Sequence, residues 1–138
     1  MIFQLARYVD WPKDYFKGRQ TFNINVLGDS EIHKILNSKL NNRTLKKLKI
    51  RVSDSLDLKN SQVVFLGKKS AEIVDLKGKL SQCSCLIIGT KGKNWEVITL
   101  KRVKDKIRFE VNLIEAKRRG LYISSRILNL AINVIGKY

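Results

Sequence analysis

Three glycine-led stretches, one histidine and two cysteines are the residues whose type and spacing bear on chemistry in this chain. Gly28-Asp29 closes an apolar run, the place where a dinucleotide-binding fold sets its phosphate loop. The G-x-G-x-x-G spacing is absent, and Asp29 puts a negative charge where a pyrophosphate would sit. Gly67-Lys68-Lys69-Ser70 has the look of a Walker A ending, but the position of the required first glycine holds Gln62. Gly89-Thr90-Lys91-Gly92 has the spacing of a G-x-x-G nucleic-acid clamp without the strands of the matching module, so it reads as a glycine turn. His33 stands alone, and one histidine with a Cys-x-Cys does not supply a metal site. Nor does it supply a triad, and no G-x-S-x-G raises a serine. The expectation is a protein that is not an enzyme, with no catalytic residue, cofactor or metal.

Cys83 and Cys85 precede the apolar run Leu86-Ile87-Ile88. Placed in a strand, they point to one face about 6.6 Å apart at a rise near 3.3 Å per residue. A disulfide needs Cβ atoms about 3.8 Å apart. Two buried, unbridged thiols are therefore expected, with a bridge only if Cys83 lies in a loop.

The elements that must position these residues follow from hydrophobic periodicity. Residues 2–10 read as a helix with Ile2, Leu5, Ala6 and Val9 on one face, ended by Pro12. Thr21 to Leu27 alternates as a strand, and Asp29 or Ser30 caps a helix carrying Ile32, Ile35, Leu36 and Leu40. Leu48 to Val52 reads as a strand. The fully apolar runs Val63–Leu66 and Leu86–Ile88 suit strands buried on both faces. Between them Ser70 starts a helix with Ile73, Val74 and Leu76 inward. Trp95–Val103 and Ile107–Leu113 form a hairpin across Lys104-Asp105. Asn112 and Glu115 make a capping box for a short helix ending in Lys117, Arg118 and Arg119, where cations suit the helix dipole, and Gly120 stops it. Ser124 or Ser125 caps a last helix, running to Ile135 with an apolar stripe from Ile127 to Ile135. The fold expected is α/β: a three-layer sandwich with a mixed, mostly parallel sheet, flanked by helices, and a C-terminal antiparallel hairpin.

The chain is one domain of 138 residues, 43% hydrophobic, with no run near the roughly 18 apolar residues of a membrane span. It opens inside an amphipathic helix with no preceding cap, so a mature chain whose export signal has been removed is expected. Lys and Arg number 28 against 12 Asp and Glu, a net charge of +16. The basic residues are spread over every segment, with modest clusters at 46–51 and 101–106, which suits a solubilising surface. Aromatic residues are not interleaved with them, so no nucleic acid is expected.

Four segments carry a resemblance. FQLARYVDWP (Phe3 to Pro12) is similar to the opening helix and Trp-Pro pair of the YfiR-like family, and TFNINVLGD (Thr21 to Asp29) to its first strand with a Gly-Asp exit. SQVVFLGKKS (Ser61 to Ser70) resembles its buried Phe-containing strand, and FEVNLIEAKRRGLYISSRILNLA its C-terminal signature. The resemblance implies a periplasmic module that binds, and represses, a membrane diguanylate cyclase or sensor kinase through that partner's periplasmic domain. A homodimer and peripheral contact with an anionic membrane surface stay open. The rival function is a basic module for an anionic ligand or surface. The family-matching residues Trp11, Pro12, Gly28, Phe109, Asn112, Gly120, Ser124 and Ser125 read as structural. Two departures stand out. Asn60-Ser61 occupies the place where relatives carry a cysteine, so their redox-linked disulfide does not transfer. Asn94-Trp95-Glu96 replaces a Gly-Gly pair, which makes Trp95, Lys91 and Lys93 the candidate partner-binding residues. Trp95 reads equally as a strand residue packed on the hairpin.

Overall fold

A computed structural model describes residues 1–137. Its centre is an eight-stranded sheet in the order β10-β8-β7-β6-β5-β2-β4-β3. The strands are β2 (Thr21–Leu27), β3 (Thr44–Leu45), β4 (Leu48–Ser53), β5 (Val63–Leu66), β6 (Leu86–Gly89), β7 (Ile98–Val103), β8 (Lys106–Asn112) and β10 (Asn133–Ile135). From β4 through β7 every neighbour is parallel; β7–β8 and β3–β4 are antiparallel. A separate two-stranded ribbon pairs β1 (Val9–Asp10) with β9 (Tyr122–Ile123).

The two-residue period of the central strands divides the core into two layers. Val63, Phe65, Leu86 and Ile88 join the larger cluster, whereas Val64, Leu66 and Ile87 join the smaller one on the opposite face. The larger layer is covered by α1 (Ile2–Arg7), α2 (Ser30–Leu40), α4 (Leu113–Arg118) and α5 (Ser125–Leu130). The smaller is covered by α3 (Leu76–Leu80) and Leu58. The mixed, mostly parallel α/β sandwich is thus the fold observed. The caps fall where side-chain chemistry puts them: Asp29 accepts from Ile32 N at 3.0 Å, and Asn112 accepts from Glu115 N at 3.1 Å.

Four local expectations need correction. The last helix does not reach Ile135: α5 ends at Leu130, Ala131 turns extended, and β10 pairs in parallel with β8. The open edge of β8 offers backbone partners, beginning with Phe109 O to Ile132 N at 2.9 Å, and β-branched Val134 and Ile135 suit a strand. The first helix stops at Arg7, because Val9 and Asp10 are drawn into pairing with β9. After Ser70 only a single 3-10 turn forms; Val74 is 82% exposed, and Asp75 adopts a left-handed conformation before α3 begins. Cys83 and Cys85 lie before β6 and are joined in a disulfide.

Shortening α5 changes what its leucines do. Leu128 packs at the margin of the core, and Leu130 is 66% exposed. Leu128→Ala is expected to cost about 1–2 kcal/mol, below the full range for a buried leucine. Leu130→Ala is expected to stay within about 0.5 kcal/mol of wild type. Urea denaturation of the two variants checks the order; equal losses would show that the helix is rotated from this position.

Candidate functional site

Because β2, β5, β6 and β7 run parallel, their carboxyl ends lie side by side, and so do the loops that leave them. Strand β2 connects through α2 toward β4, whereas β5 lies on its other flank. Between β2 and β5 the connections diverge, the position where open α/β sheets form a crevice. A cavity of about 610 Å³ lies there, among Asp29, Glu31, His33, Asp54, Lys68 and Lys69. Its wall is a close approach of two loops. Gly28 has φ +75°, and a Cβ there would collide with the backbone of Ser70; a Cβ on Gly67 would run into Asp29. The Asp29 carboxylate stays on the amino end of α2, and Ser70 begins a 3-10 turn, so neither glycine stretch forms a phosphate loop. His33 is half-buried on α2 at the cavity margin.

The loop between β6 and β7 presents Lys91 and Lys93 to solvent. Trp95 is half-buried and packs against the smaller core cluster. Its Nε1 is enclosed and has no hydrogen-bond acceptor among the described residues. Glu96, which sequence reasoning passed over, holds this loop in shape. It is buried and accepts hydrogen bonds from Gly92 N at 3.1 Å and Thr99 Oγ1 at 2.8 Å. A Cβ on Gly89 would overlap the Glu96 side chain. The only signal for this in the sequence is a single acid inside a strongly basic segment.

A buried ion pair was also missed. Glu115 does not complete the capping box; its carboxylate turns to Arg119 Nε at 2.9 Å and Arg118 Nε at 3.4 Å. Glu115 is 4% exposed and Arg119 8%. The Arg119 guanidinium reaches across to the smaller core layer, where Nη1 donates to Leu80 O at 2.8 Å and Cys83 O at 3.1 Å. Burial lowers its pKa, and the Glu115 carboxylate works against that shift. The same contacts explain the cysteines. Residues 83–85 bend so that the Leu80 and Cys83 carbonyls face Arg119, and the Cα atoms of Cys83 and Cys85 are 5.1 Å apart. The expected spacing assumed an extended backbone, and the chain is contracted here.

A second concavity, of about 640 Å³ and mostly apolar, lies between α1 and α5. Leu5, Tyr8, Phe109, Ile127 and Leu130 line it, and Arg126 Nη1 donates to Tyr8 Oη at 3.0 Å across it. No cluster of metal-ligating side chains occurs among the described residues. No described helix is long and apolar enough to cross a membrane.

The family model described as YfiR/HmsC-like matches residues 1–132. The chain belongs to the YfiR/HmsC-like family. No curated protein matches it significantly. In this YfiR/HmsC-like chain the motif residues hold the fold together. Trp11 donates from Nε1 to Ser84 O at 2.8 Å. Gly120 has φ +73°, and a Cβ there would press on Pro12 at 3.2 Å. Phe109 is buried, Ser124 accepts from Arg126 N at 3.2 Å, and Ser125 opens α5.

Proposed function

We propose that this chain is a non-enzymatic periplasmic regulator that binds, and represses, the periplasmic domain of a membrane diguanylate cyclase or sensor kinase. The observation that carries the reading is the family match over residues 1–132, which takes in all but the last six residues of the chain. The distribution of the motif supports it: Trp11, Pro12, Gly28, Asn112 and Gly120 serve packing, caps and turns, which leaves partner recognition to surfaces. Two surfaces fit a protein partner. The groove between α1 and α5 offers apolar area, and the 89–96 loop offers Lys91 and Lys93 beside Trp95.

Surface plasmon resonance against the periplasmic domain of a membrane diguanylate cyclase from the same organism tests the reading. Trp95→Ala is expected to speed dissociation about fivefold or more, the effect of an anchor residue. Neutralising Lys91 and Lys93 is expected to slow association and to leave dissociation unchanged, and added salt should erase the difference. Circular dichroism must show that each variant is folded, because Trp95 also packs on the core. Binding by Trp95→Ala at wild-type rates would remove the loop from the interface. Tight binding to nucleic acid at physiological salt, with none to the cyclase domain, would overturn the regulatory reading.

A further inference from the structure

The β7–β8 hairpin extends past both of its neighbours. β6 pairs only with Ile98 and Thr99, and β10 reaches only from Glu110 to Asn112. The pairs Lys101↔Arg108, Arg102↔Ile107 and Val103↔Lys106 therefore continue as a two-stranded ribbon with both outer edges free of sheet partners among the described residues. Leu100 and Phe109 root it in the core. Beyond them lie Lys101, Arg102, Lys104, Lys106 and Arg108, with Asp105 the one acid. Val103 shares one face of the ribbon with Lys101, Lys106 and Arg108, and Ile107 shares the other with Arg102; they are 42% and 46% exposed.

Hairpin stability does not account for this composition. Lys101 faces Arg108 directly across the ribbon, and like charges in that position are destabilising. Lys101 is relieved by Glu110 at 3.2 Å. Lys104 holds the turn at φ +46°, where glycine or asparagine is favoured over a lysine. Cations are thus placed at the tip against local preference, and Val103 is held in water between them. An anionic surface with an apolar layer beneath it satisfies both features.

We propose that this ribbon docks on an anionic phospholipid bilayer through the face that carries Lys101, Val103, Lys106 and Arg108, with the cations among the headgroups and Val103 at the acyl boundary. A nucleic acid fits less well, because the exposed ribbon from Lys101 to Arg108 carries no aromatic side chain on which a base would stack. The assignment concerns a surface of its own and does not rest on the partner reading.

Cosedimentation tests it with no signalling partner present. The full chain is expected to bind vesicles of equal parts phosphatidylglycerol and phosphatidylethanolamine at physiological salt, and to leave phosphatidylcholine vesicles unbound. Each basic residue near such a surface contributes about 1 kcal/mol, so K104Q/K106Q/R108Q should weaken binding on the order of a hundredfold. K34Q/K39Q/K59Q removes the same charge far from the ribbon and should weaken it less than about threefold. V103S keeps the charge and should weaken it about fivefold, whereas I107S, on the opposite face, should weaken it less than about twofold. The side chains changed in the ribbon are exposed or at its tip, and unchanged thermal midpoints confirm folding. Equal losses in the two charge-matched variants would overturn the proposal, as would equal binding to both vesicles. Wild-type protein that ignores the vesicles but captures a labelled oligonucleotide would overturn it too.

Discussion

Replacing Arg119 with methionine is expected to destabilise the protein by about 3–5 kcal/mol. The change keeps much of the side-chain length but removes the charge that faces Glu115 at 2.9 Å. Glu115, at 4% exposure, would be left as a buried carboxylate with only the exposed Arg118 to face it. Two backbone acceptors, Leu80 O and Cys83 O, would lose their donor in the same step. Each lost contact to an interior acceptor adds to the cost. The double variant Arg119→Met with Glu115→Leu discriminates between causes. If the stranded carboxylate dominates, the double variant should recover well over half of the loss. If the tie to residues 80–83 dominates, recovery should be small. Guanidinium denaturation of the single and the double variant beside wild type is the measurement. A shift below about 1 kcal/mol for Arg119→Met would show that the pair is solvated in solution.

Trp11→Ala is expected to cost about 3–5 kcal/mol, the range for removing a buried large aromatic. The indole is packed edge-on against Phe16 and Phe22, each with ring centroids at 5.6 Å. It also joins two distant parts of the chain, since its Nε1 donates to the carbonyl of Ser84. Trp11→Phe keeps most of the packing and removes the hydrogen bond, so it should cost a smaller amount, about 1–2 kcal/mol. Thermal and denaturant unfolding read both. Equal losses for the two variants would place the energy in the hydrogen bond and not in the ring.

Much of the architecture was legible in the residues, and its failures share a physical origin. Fully apolar Val63–Leu66 and Leu86–Ile88 announced the central strands, because strands covered on both faces leave no polar period. Asp29, Asn112 and Gly120 fixed element ends through local chemistry that needs no distant partner. The C-terminal segment was different. Residues 131–135 satisfy a helical stripe and a strand equally well, and the free edge of β8 decided between them. Arg119 looked like its neighbours Lys117 and Arg118. Its acceptors lie 39 and 36 residues away, so nothing local marks it as the buried member. The cysteine geometry failed for the same reason, since the bend at 83–85 is met by a guanidinium from another element. At the candidate surface, Lys91 and Lys93 were legible as exposed cations. The projection of the β7–β8 ribbon was not, because it depends on where β6 and β10 stop.

The β1–β9 ribbon has a bearing on the order in which the chain assembles. Val9 pairs with Ile123, and Ser124 N donates to Tyr8 O at 3.0 Å. Contacts between residues so far apart in sequence cost chain entropy and slow folding. A ribosome releasing the chain from its amino end exposes Ile2, Leu5 and Ala6 well before residues 121–127 exist to cover them. Those apolar side chains gain their full cover only once residues 121–127 are in place. Covering α1 as it is covered in the folded domain therefore waits on a segment far along the chain, and a chain cut before residues 121–127 leaves that side of the helix open.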